Sequence, residues 1–431
     1  MDESNSQDGH STIDAEVLGD LDAWNLRRQG NWYFFEANLP NSDGIRGYRR
    51  NVSEQTILAD TPGPVMGFLA IGGSRVARGL AETGSFPYHV VAPTDEVGAV
   101  GLAGVEKSQP SKAAEALTEQ PQIALTAHAY ITRRRQNHLG LPLIVARAEH
   151  DDSASVAELR AGTAFENLVT AAQSVASIAE ALGKRVSVLV VSVDFVLEDV
   201  SGKAEAWAAD MIEFMRSFEK RVYRLGYSKI HFVSVMENKD PQRIEQQFQL
   251  GLFPTEQSFS WLAPVYAFDR DRYCRLTEAG MKKRAQTEAA AISKIIQGED
   301  WICPTLLLAE WDESKCAIRV TTNATKDLVL DEKAFNLSDD SAGFSIEGTT
   351  ISDVRIDTDN KRDVLISLSN DLLPNAELNY AVNRAGALRD AWTDGAGNHR
   401  WALPARLKIG QNPANWPASG IRTPNNLRAG Q

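Results

Sequence analysis

Between residues 61 and 300, short apolar runs alternate with longer stretches in which apolar residues recur every three or four positions. The runs predict buried strands and the stretches predict amphipathic helices. Strands separated by helices favour parallel βαβ units, so we predict an α/β domain with a doubly wound parallel sheet over residues 61–300. The predicted strands are Val65–Ile71, Leu143–Ala146, Val186–Val196 and Lys229–Met236, and the predicted helices are Ser153–Leu182, Lys203–Leu225 and Glu278–Gln297.

The first of these strands leads into a glycine-rich turn that carries a serine. The apolar run Met66–Ile71 ends in Gly72-Gly73, Ser74 follows directly, and a helix-like segment begins after Gly79. Strand, tight turn and helix is the arrangement in which α/β hydrolases present a nucleophilic serine. Ser74 is therefore a candidate nucleophile, and the alternative is that it only completes the turn.

The two ends of the chain have other patterns. After Cys303, short alternating runs are separated by Asn, Asp, Gly and Pro, which predicts an all-β domain over residues 301–410, in the form of a small sandwich. For residues 411–431 we predict an irregular tail. For residues 1–60 we predict an extended arm, because the aromatic cluster in this segment has no clear periodicity. That cluster needs a surface on which to be buried, either the chain's own body or, as we favour, a partner subunit. Its members are Trp24, Trp32, Tyr33, Phe34 and Phe35.

Composition narrows the class of protein. The 431 residues are 43% hydrophobic and 24% charged, as in ordinary globular proteins of two or three domains. A net charge of −12 argues against nucleic-acid binding. The apolar runs are too short for membrane insertion, and the acidic N-terminus does not resemble a signal peptide. Three cysteines without metal-ligand spacing indicate free thiols in a reducing compartment. We predict neither a metal nor a cofactor.

Several blocks together resemble one enzyme family. Gly72-Gly73-Ser74-x-x-x-x-Gly79 is similar to a nucleophile block usually written G-Q-S-x-x-x-G. Residues 153–192 are similar to a helix leading into a third strand, and residues 262–280 to a last block ending D-x-x-H-L-T-x-x-G. In this order the blocks resemble the SGNH (GDSL-like) hydrolases, in particular the sialate O-acetylesterase-like proteins with a C-terminal β-sandwich. The resemblance spans residues 62–390 and implies a flavodoxin-like sheet with Ser74 as nucleophile.

The catalytic positions of that family are altered in this chain. In such enzymes a histidine takes the serine proton and an aspartate three residues earlier orients the ring. Arg275 stands at the histidine position and Arg272 at the aspartate position, with Asp271 one residue out of register. Because a guanidinium does not accept a proton near neutral pH, the resemblance predicts a framework without its general base.

The stretches expected to form the oxyanion hole are altered as well. The glycine-containing stretch after the second strand reads Arg147–Asp152, whose carboxylates would repel a developing negative charge. The block usually written Q-G-E-x-D reads Phe195-Val196-Leu197-Glu198-Asp199, without its glutamine and glycine. These changes predict little residual catalysis.

Polar residues near the predicted strand ends have more than one interpretation. His150 is either a substitute base for Ser74 or a solvated loop histidine. Glu149, His150, Asp151 and Asp152 are cleft-loop binding residues or cation ligands, although consecutive residues seldom point at one ion. Asp194 is a binding residue or a strand-end carboxylate held by hydrogen bonds.

The altered catalytic blocks, the aromatic arm and the irregular tail together suggest a role in assembly. We therefore predict a structural or adhesin-type component of a phage or phage-like particle, built on an inactivated SGNH fold and located in the virion. Its predicted partners are other structural proteins, further copies of itself and a host glycan. The alternatives are a carbohydrate O-acetylesterase that uses Ser74, and a glycan-binding module without catalysis.

Overall fold

The computed structural model describes residues 21–42, 44–53, 56–152, 154–194, 204–252, 257–273, 275–312, 316–335, 337 and 341–411. The chain divides into two compact units. The first comprises Met1–Asp152, Ala161–Ser192 and Phe218–Ile230, and the second comprises Ser153–Arg160, Val193–Ser217 and His231–Gln431. The predicted mixed α/β class with parallel strands is confirmed.

The N-terminal part of the first unit is not the predicted extended arm, because its described residues form a four-stranded antiparallel sheet. One face of the second strand buries Phe35 against Tyr48 in a small apolar core. On the other face, Phe34 packs against the guanidinium groups of Arg27 and Arg49. Because aromatic side chains occupy both faces, the period of two that identifies a strand is hidden in the sequence. The strands are β1 (Ala23–Gln29), β2 (Trp32–Ala37), β3 (Arg46–Asn51) and β4 (Ile57–Ala59).

The first unit also contains the buried parallel strands that the apolar runs predict. β5 (Val65–Gly72) is buried at every position and pairs in parallel with β10 (Leu143–His150), which in turn pairs in parallel with β7 (Val90–Pro93). With β11 (Val186–Asp194), which belongs to this unit as far as Ser192, and the antiparallel edge strand β8 (Ala114–Ala116), the order is β11-β5-β10-β7-β8. Two short strands, β6 (Gly79–Leu80) and β9 (Gln120–Pro121), pair separately. The strand order therefore places β5, and the turn after it, in the interior of the sheet.

In the second unit, β12 (Lys229–Met236) pairs in parallel with β13 (Phe259–Pro264). Ten further strands follow, as the alternating runs predict. Seven of them form a mostly antiparallel sheet in the order β17-β20-β23-β14-β15-β19-β18, and three form the sheet β16-β21-β22. They are β14 (Leu306–Asp312), β15 (Ala317–Thr322), β16 (Leu328–Leu330), β17 (Phe344–Ile346), β18 (Ile351–Ile356), β19 (Asp363–Leu368), β20 (Glu377–Tyr380), β21 (Leu388–Thr393), β22 (His399–Trp401) and β23 (Ala405–Gln411). The sandwich arrangement stays a prediction, and residues 412–431 of the predicted tail lie outside the described residues.

The α-helices of the described residues are α1 (Ser74–Ala77), α2 (Gln122–Gln136), α3 (Val156–Ala161), α4 (Thr163–Ala181), α5 (Ala204–Val222), α6 (Pro241–Leu252) and α7 (Glu278–Ile296). Short 3-10 helices cover Tyr223–Leu225, Val265–Ala267 and Glu332–Phe335.

Two helix predictions need correction. The predicted helix Ser153–Leu182 is interrupted at Gly162, whose extended backbone caps α4. The predicted helix after Gly79 does not form, because Gly79 and Leu80 pair with β9 and only the four residues of α1 are helical at this turn. Both corrections concern where the backbone leaves the helix, which periodicity alone does not reveal.

Candidate functional site

The turn after β5 presents Ser74 at the carboxyl end of a buried strand. The strand packs closely against its neighbours at Gly67. A Cβ at this position would lie only 2.6 Å from Leu189 Cδ1. Gly73 has an extended backbone and caps α1, and Ser74 is the first residue of that helix and is exposed. The structure thus places Ser74 directly after the strand and turn, while its role as a nucleophile stays a prediction.

His150 lies at the same edge of the sheet, one strand away. In the parallel register of β10 and β5, His150 is opposite Gly72, and Asp151 N donates to Gly72 O at 3.0 Å. The His150 Nδ1 atom lies 3.2 Å from Asp152 Oδ1. The His150 side chain is 13% exposed and that of Asp152 is 54% exposed, so the pair is open to water mainly on the aspartate side. This contact orients the imidazole and leaves its Nε2 atom for another partner.

Glu149 is not the cleft-loop residue that the sequence predicts. It belongs to β10 and is fully buried, with its Oε1 atom accepting from Arg147 Nε at 2.9 Å. Burial raises the pKa of Glu149, and the Arg147 guanidinium opposes that shift. The loop packs tightly here, because a Cβ at Gly101 would lie 1.9 Å from Glu149 Oε2. The Glu149 carboxylate therefore packs against the loop that contains Gly101, at the edge of the sheet.

The hydrogen-bond network around Arg147 contains two further groups that sequence reasoning missed, the Asp95 carboxylate and the Gly98 carbonyl. Arg147 Nη1 donates to Asp95 Oδ1 at 3.0 Å and to the carbonyl oxygen of Gly98 at 2.6 Å. A guanidinium in the middle of an apolar strand is the signal for such a network, because a buried cation requires anionic partners. The stretch Arg147–Asp152 was interpreted as a loop, which concealed that signal.

Asp194, the last residue of β11, lies in the second unit and belongs to a buried ion cluster. Its Oδ2 atom accepts from Arg284 Nη1 at 2.9 Å, and Arg284 Nε donates to Glu288 Oε1 at 2.7 Å. All three side chains are almost fully buried. The geometry places Asp194 in an internal charge network, as a strand-end carboxylate. Arg284 and Glu288 were not singled out in the sequence, although their spacing of four on a predicted helix is that of an ion pair.

The last block of the resemblance carries an ordered arginine-rich loop. Asp271 Oδ1 accepts from the backbone N–H groups of Tyr273 and Arg275 at 2.8 and 3.0 Å, and its Oδ2 atom accepts from Arg275 Nε at 3.1 Å. The guanidinium carbons of Arg272 and Arg275 lie 4.7 and 5.1 Å from the centre of the exposed Tyr273 ring. Arg275 is thus held by the aspartate that stands one residue out of register. The loop leads into α7, where Thr277 caps the helix by accepting from Gly280 N at 3.0 Å.

A second buried network at the carboxyl end of β12 was also missed. Asn238 Nδ2 donates to the carbonyl oxygens of Ala381 and Arg384 at 2.9 and 2.7 Å. Glu237 is buried beside it and lies 3.6 Å from Arg270 Nη1. The sequence analysis did not single out these residues, and the partners of Asn238 are more than 140 residues away in the chain.

The aromatic residues that were predicted to face a partner are mostly engaged within the N-terminal sheet. Phe35 is 3% exposed, which removes it from the predicted partner surface. Trp24 Nε1 donates to Glu36 Oε2 at 3.0 Å, and Trp32 and Phe34 lie 5.8 and 4.9 Å from the Arg49 guanidinium carbon. Tyr33 packs against Arg28. Contact of these half-buried side chains with a partner stays a prediction.

In the part of the chain that the structure describes, no group of three or more His, Cys, Asp or Glu side chains is arranged to hold a metal ion. None of the helices built from those residues is both long and apolar enough to cross a membrane. The block Phe195–Asp199 lies outside the described residues, as does Cys274.

Comparisons with known proteins add little to this geometry. No protein-family model matches the chain, and no curated protein matches it. Among solved structures, the chain is similar to an X-ray structure of a protein from Arabidopsis thaliana, with 12% identity and a TM-score of 0.36. The match covers 53% of this chain and 98% of that one. Similarity at this level does not identify a family.

Proposed function

We propose that this chain is a non-hydrolytic, structural or adhesin-type component of a phage or phage-like particle, built on a flavodoxin-like SGNH framework. The observation that carries the proposal is the ion pair between Arg275 and Asp271, at the position where the family has its general base. A guanidinium held by a carboxylate does not take a proton from a serine. The particle itself is proposed from the family resemblance alone.

Two features support the proposed framework. β5 lies between β10 and β11, which is the 2-1-3 order of a flavodoxin-like sheet if the short strand β7, which precedes β10 in the chain, is counted as an addition to that sheet. Ser74 follows β5 directly, as the nucleophile block does in that family. The buried Arg147–Glu149 pair next to that turn supports a structural use of the sheet edge rather than an oxyanion hole.

In the adhesin form of the proposal, the loop around Tyr273 would bind a host glycan. Tyr273 is 61% exposed and is flanked by the guanidinium groups of Arg272 and Arg275. An aromatic face packs against a sugar ring, and guanidinium groups bind carboxylates in a forked geometry. The glycan that this loop fits best is therefore an acidic one.

The test combines chemistry with localisation. The purified chain is assayed for acetate release from acetylated glycans and for labelling by a fluorophosphonate, and particles from the source are analysed by mass spectrometry. We expect no acetate release, no labelling of Ser74 and co-purification with particles. Acetate release that disappears in Ser74→Ala, or consistent absence from particles, would overturn the proposal. Tyr273→Ala is expected to abolish binding to acidic members of a glycan array, with Tyr223→Ala, another exposed tyrosine, as the control.

A second candidate is favoured by the contact between His150 and Asp152. In this alternative, Ser74 Oγ attacks an acetyl carbonyl while His150 Nε2 takes the serine proton, and Asp152 holds Nδ1. The imidazolium then protonates the sugar oxygen as its bond to the acetyl carbon breaks, which releases the sugar hydroxyl and leaves the acetyl group on Ser74. Water hydrolyses this acetyl-enzyme with His150 again as base, which releases acetate and restores Ser74. His150→Gln would remove acetate release by about two orders of magnitude or more. His138→Asn, at an exposed histidine, is the matched control.

A further inference from the structure

The second unit contains a pocket of about 280 Å³ whose lining is mostly apolar. It is bounded by β13, α6 and the segment that precedes β14. No Asp, Glu, Lys or Arg is among its described lining residues, and the polar ones, such as Ser260 and Asn323, are neutral. The main apolar contributors are Phe248, Phe259, Trp261, Trp301, Cys303 and Leu403.

Trp261 provides an unused hydrogen-bond donor in this pocket. Its side chain is buried, with 8% of the residue exposed, and Nε1 has no hydrogen-bond partner among the described residues. Trp301, on another wall, differs because its Nε1 atom donates to the carbonyl oxygen of Leu262 at 2.9 Å. Buried indole N–H groups are normally bonded, so an unbonded one that lines a pocket points to a ligand that accepts from it.

Gly251 on α6 leaves the space that this donor faces. A Cβ at Gly251 would lie 3.0 Å from Trp261 Nε1 and 3.2 Å from Cδ1, closer than side chains normally approach. Both residues line the pocket. The missing side chain therefore leaves the indole N–H uncovered on the side of α6, although glycine within a helix costs stability.

We propose that this pocket binds a neutral, flat organic molecule of about two fused rings, with an oxygen or nitrogen that accepts from Trp261 Nε1. The size follows from the volume, because a cavity of about 150 Å³ holds benzene and this pocket has almost twice that space. Neutrality follows from the uncharged lining, since an ion would lose its hydration without a counter-charge. The flat shape follows from the aromatic rings of Phe259 and Trp261, which meet edge to face at 4.9 Å.

Cys303 contributes a wall of the pocket rather than a reactive group. Its thiol is buried and contacts the carbonyl oxygen of Leu262 at 3.4 Å. Burial raises the pKa of Cys303 to about 12, so the thiol stays protonated at neutral pH. The site therefore binds its ligand without covalent capture.

The test uses 2-naphthol as the probe and the full chain, with isothermal titration calorimetry. We expect saturable binding of one molecule per chain, weakened about 3- to 10-fold in Trp261→Phe, which keeps the ring face but removes the donor. Trp207→Phe is the matched control, because Trp207 Nε1 is also buried without a hydrogen-bond partner among the described residues but does not line this pocket. Naphthalene, which has no acceptor, is expected to bind wild type and Trp261→Phe equally.

A second variant keeps the test decisive if Trp261→Phe does not fold. Gly251→Ala places a methyl group in front of the donor on an exposed helical position, where alanine favours the helix. We expect it to weaken 2-naphthol binding, while Gly140→Ala, where no atom lies within 4 Å of the new Cβ, does not. Absence of saturable binding to wild type, or equal affinity in the pocket variants and their controls, would overturn the proposal.

Discussion

Arg147 and Glu149 lie two residues apart on β10, and their side chains form an ion pair that is almost fully buried at the carboxyl edge of the sheet. The guanidinium also binds Asp95, so one buried cation is shared by two carboxyl groups. A buried pair of this kind gains little over an apolar replacement, but removal of one partner leaves an uncompensated charge.

Arg147→Met is therefore expected to lower the free energy of unfolding by about 3–5 kcal/mol. The measurement is urea denaturation at neutral pH. Arg221→Met is the control, because the pair between Arg221 and Glu166 is exposed and contributes less than about 1 kcal/mol. Equal stability of the two variants would contradict the structural role assigned to the Arg147 network.

Two buried histidines make the stability of the first unit depend on pH. Burial lowers the pKa of His89 and of His128 to about 4 in the folded chain, against an ordinary value of 6.5. The unfolded chain therefore binds protons below pH 6.5 that the folded chain does not bind until about pH 4. The free energy of unfolding should be constant above pH 6.5 and fall between pH 6.5 and 4, by about 1.4 kcal/mol per pH unit for each histidine.

Denaturation curves recorded from pH 7.5 to 4.5 test this dependence. His128→Gln is expected to be less stable than wild type at pH 7.5, because His128 binds Phe86 N and Gln120. Its stability should nevertheless fall with about half the wild-type slope. His138→Asn, at an exposed position, should keep the full slope. A wild-type profile that is flat down to pH 4.5 would show that these histidines are not buried in neutral form.

Local patterns in the sequence predicted individual strands and helices, because each depends on residues that are contiguous in the chain. The apolar runs at Val65–Ile71 and Lys229–Met236 became β5 and β12, and the short runs after Cys303 became strands. The position of Ser74 was predictable for the same reason, because strand, glycine turn and serine are contiguous.

Features that depend on partners distant in sequence, or on the assignment of a polar stretch to a strand rather than a loop, were not predictable. Glu149 looked like a cleft residue because its cation was interpreted as part of the same loop, whereas both lie on a strand. Asp194 meets Arg284 across 90 residues. The N-terminal sheet was missed because Arg27 and Arg49 pack on Phe34, so that the polar face of β2 also carries aromatic residues.

Arg49 is expected to be the residue on which the N-terminal sheet depends most. It is buried, lies 4.9 Å from the Phe34 ring, pairs with Asp60 and donates to the carbonyl oxygen of Leu182 at 3.0 Å. Arg49→Ala should lower the free energy of unfolding by about 3 kcal/mol, because it removes these contacts and leaves Asp60 unpaired. Arg28→Ala, which removes an exposed guanidinium over Tyr33, should cost less than about 1 kcal/mol.

Limited proteolysis distinguishes this arrangement from an extended arm. A folded N-terminal sheet should resist cleavage between residues 23 and 59 in wild type and in Arg28→Ala, and become sensitive in Arg49→Ala. Rapid cleavage of this region in the wild-type chain would restore the extended arm that the sequence suggested.

A substitution at Asp194 distinguishes a structural role of this residue from a binding role at the end of β11. Its carboxylate pairs with Arg284, which also pairs with Glu288, and all three groups are almost fully buried. Asp194→Asn keeps the size of the side chain but removes the charge, so we expect a loss of about 2–4 kcal/mol in the free energy of unfolding. Asp152→Asn, at a half-exposed side chain that contacts His150, should change the stability by less than about 0.5 kcal/mol. If Asp194 served as a binding residue instead, its replacement would leave the stability near that of wild type and reduce only ligand binding, which urea denaturation combined with the glycan array would reveal.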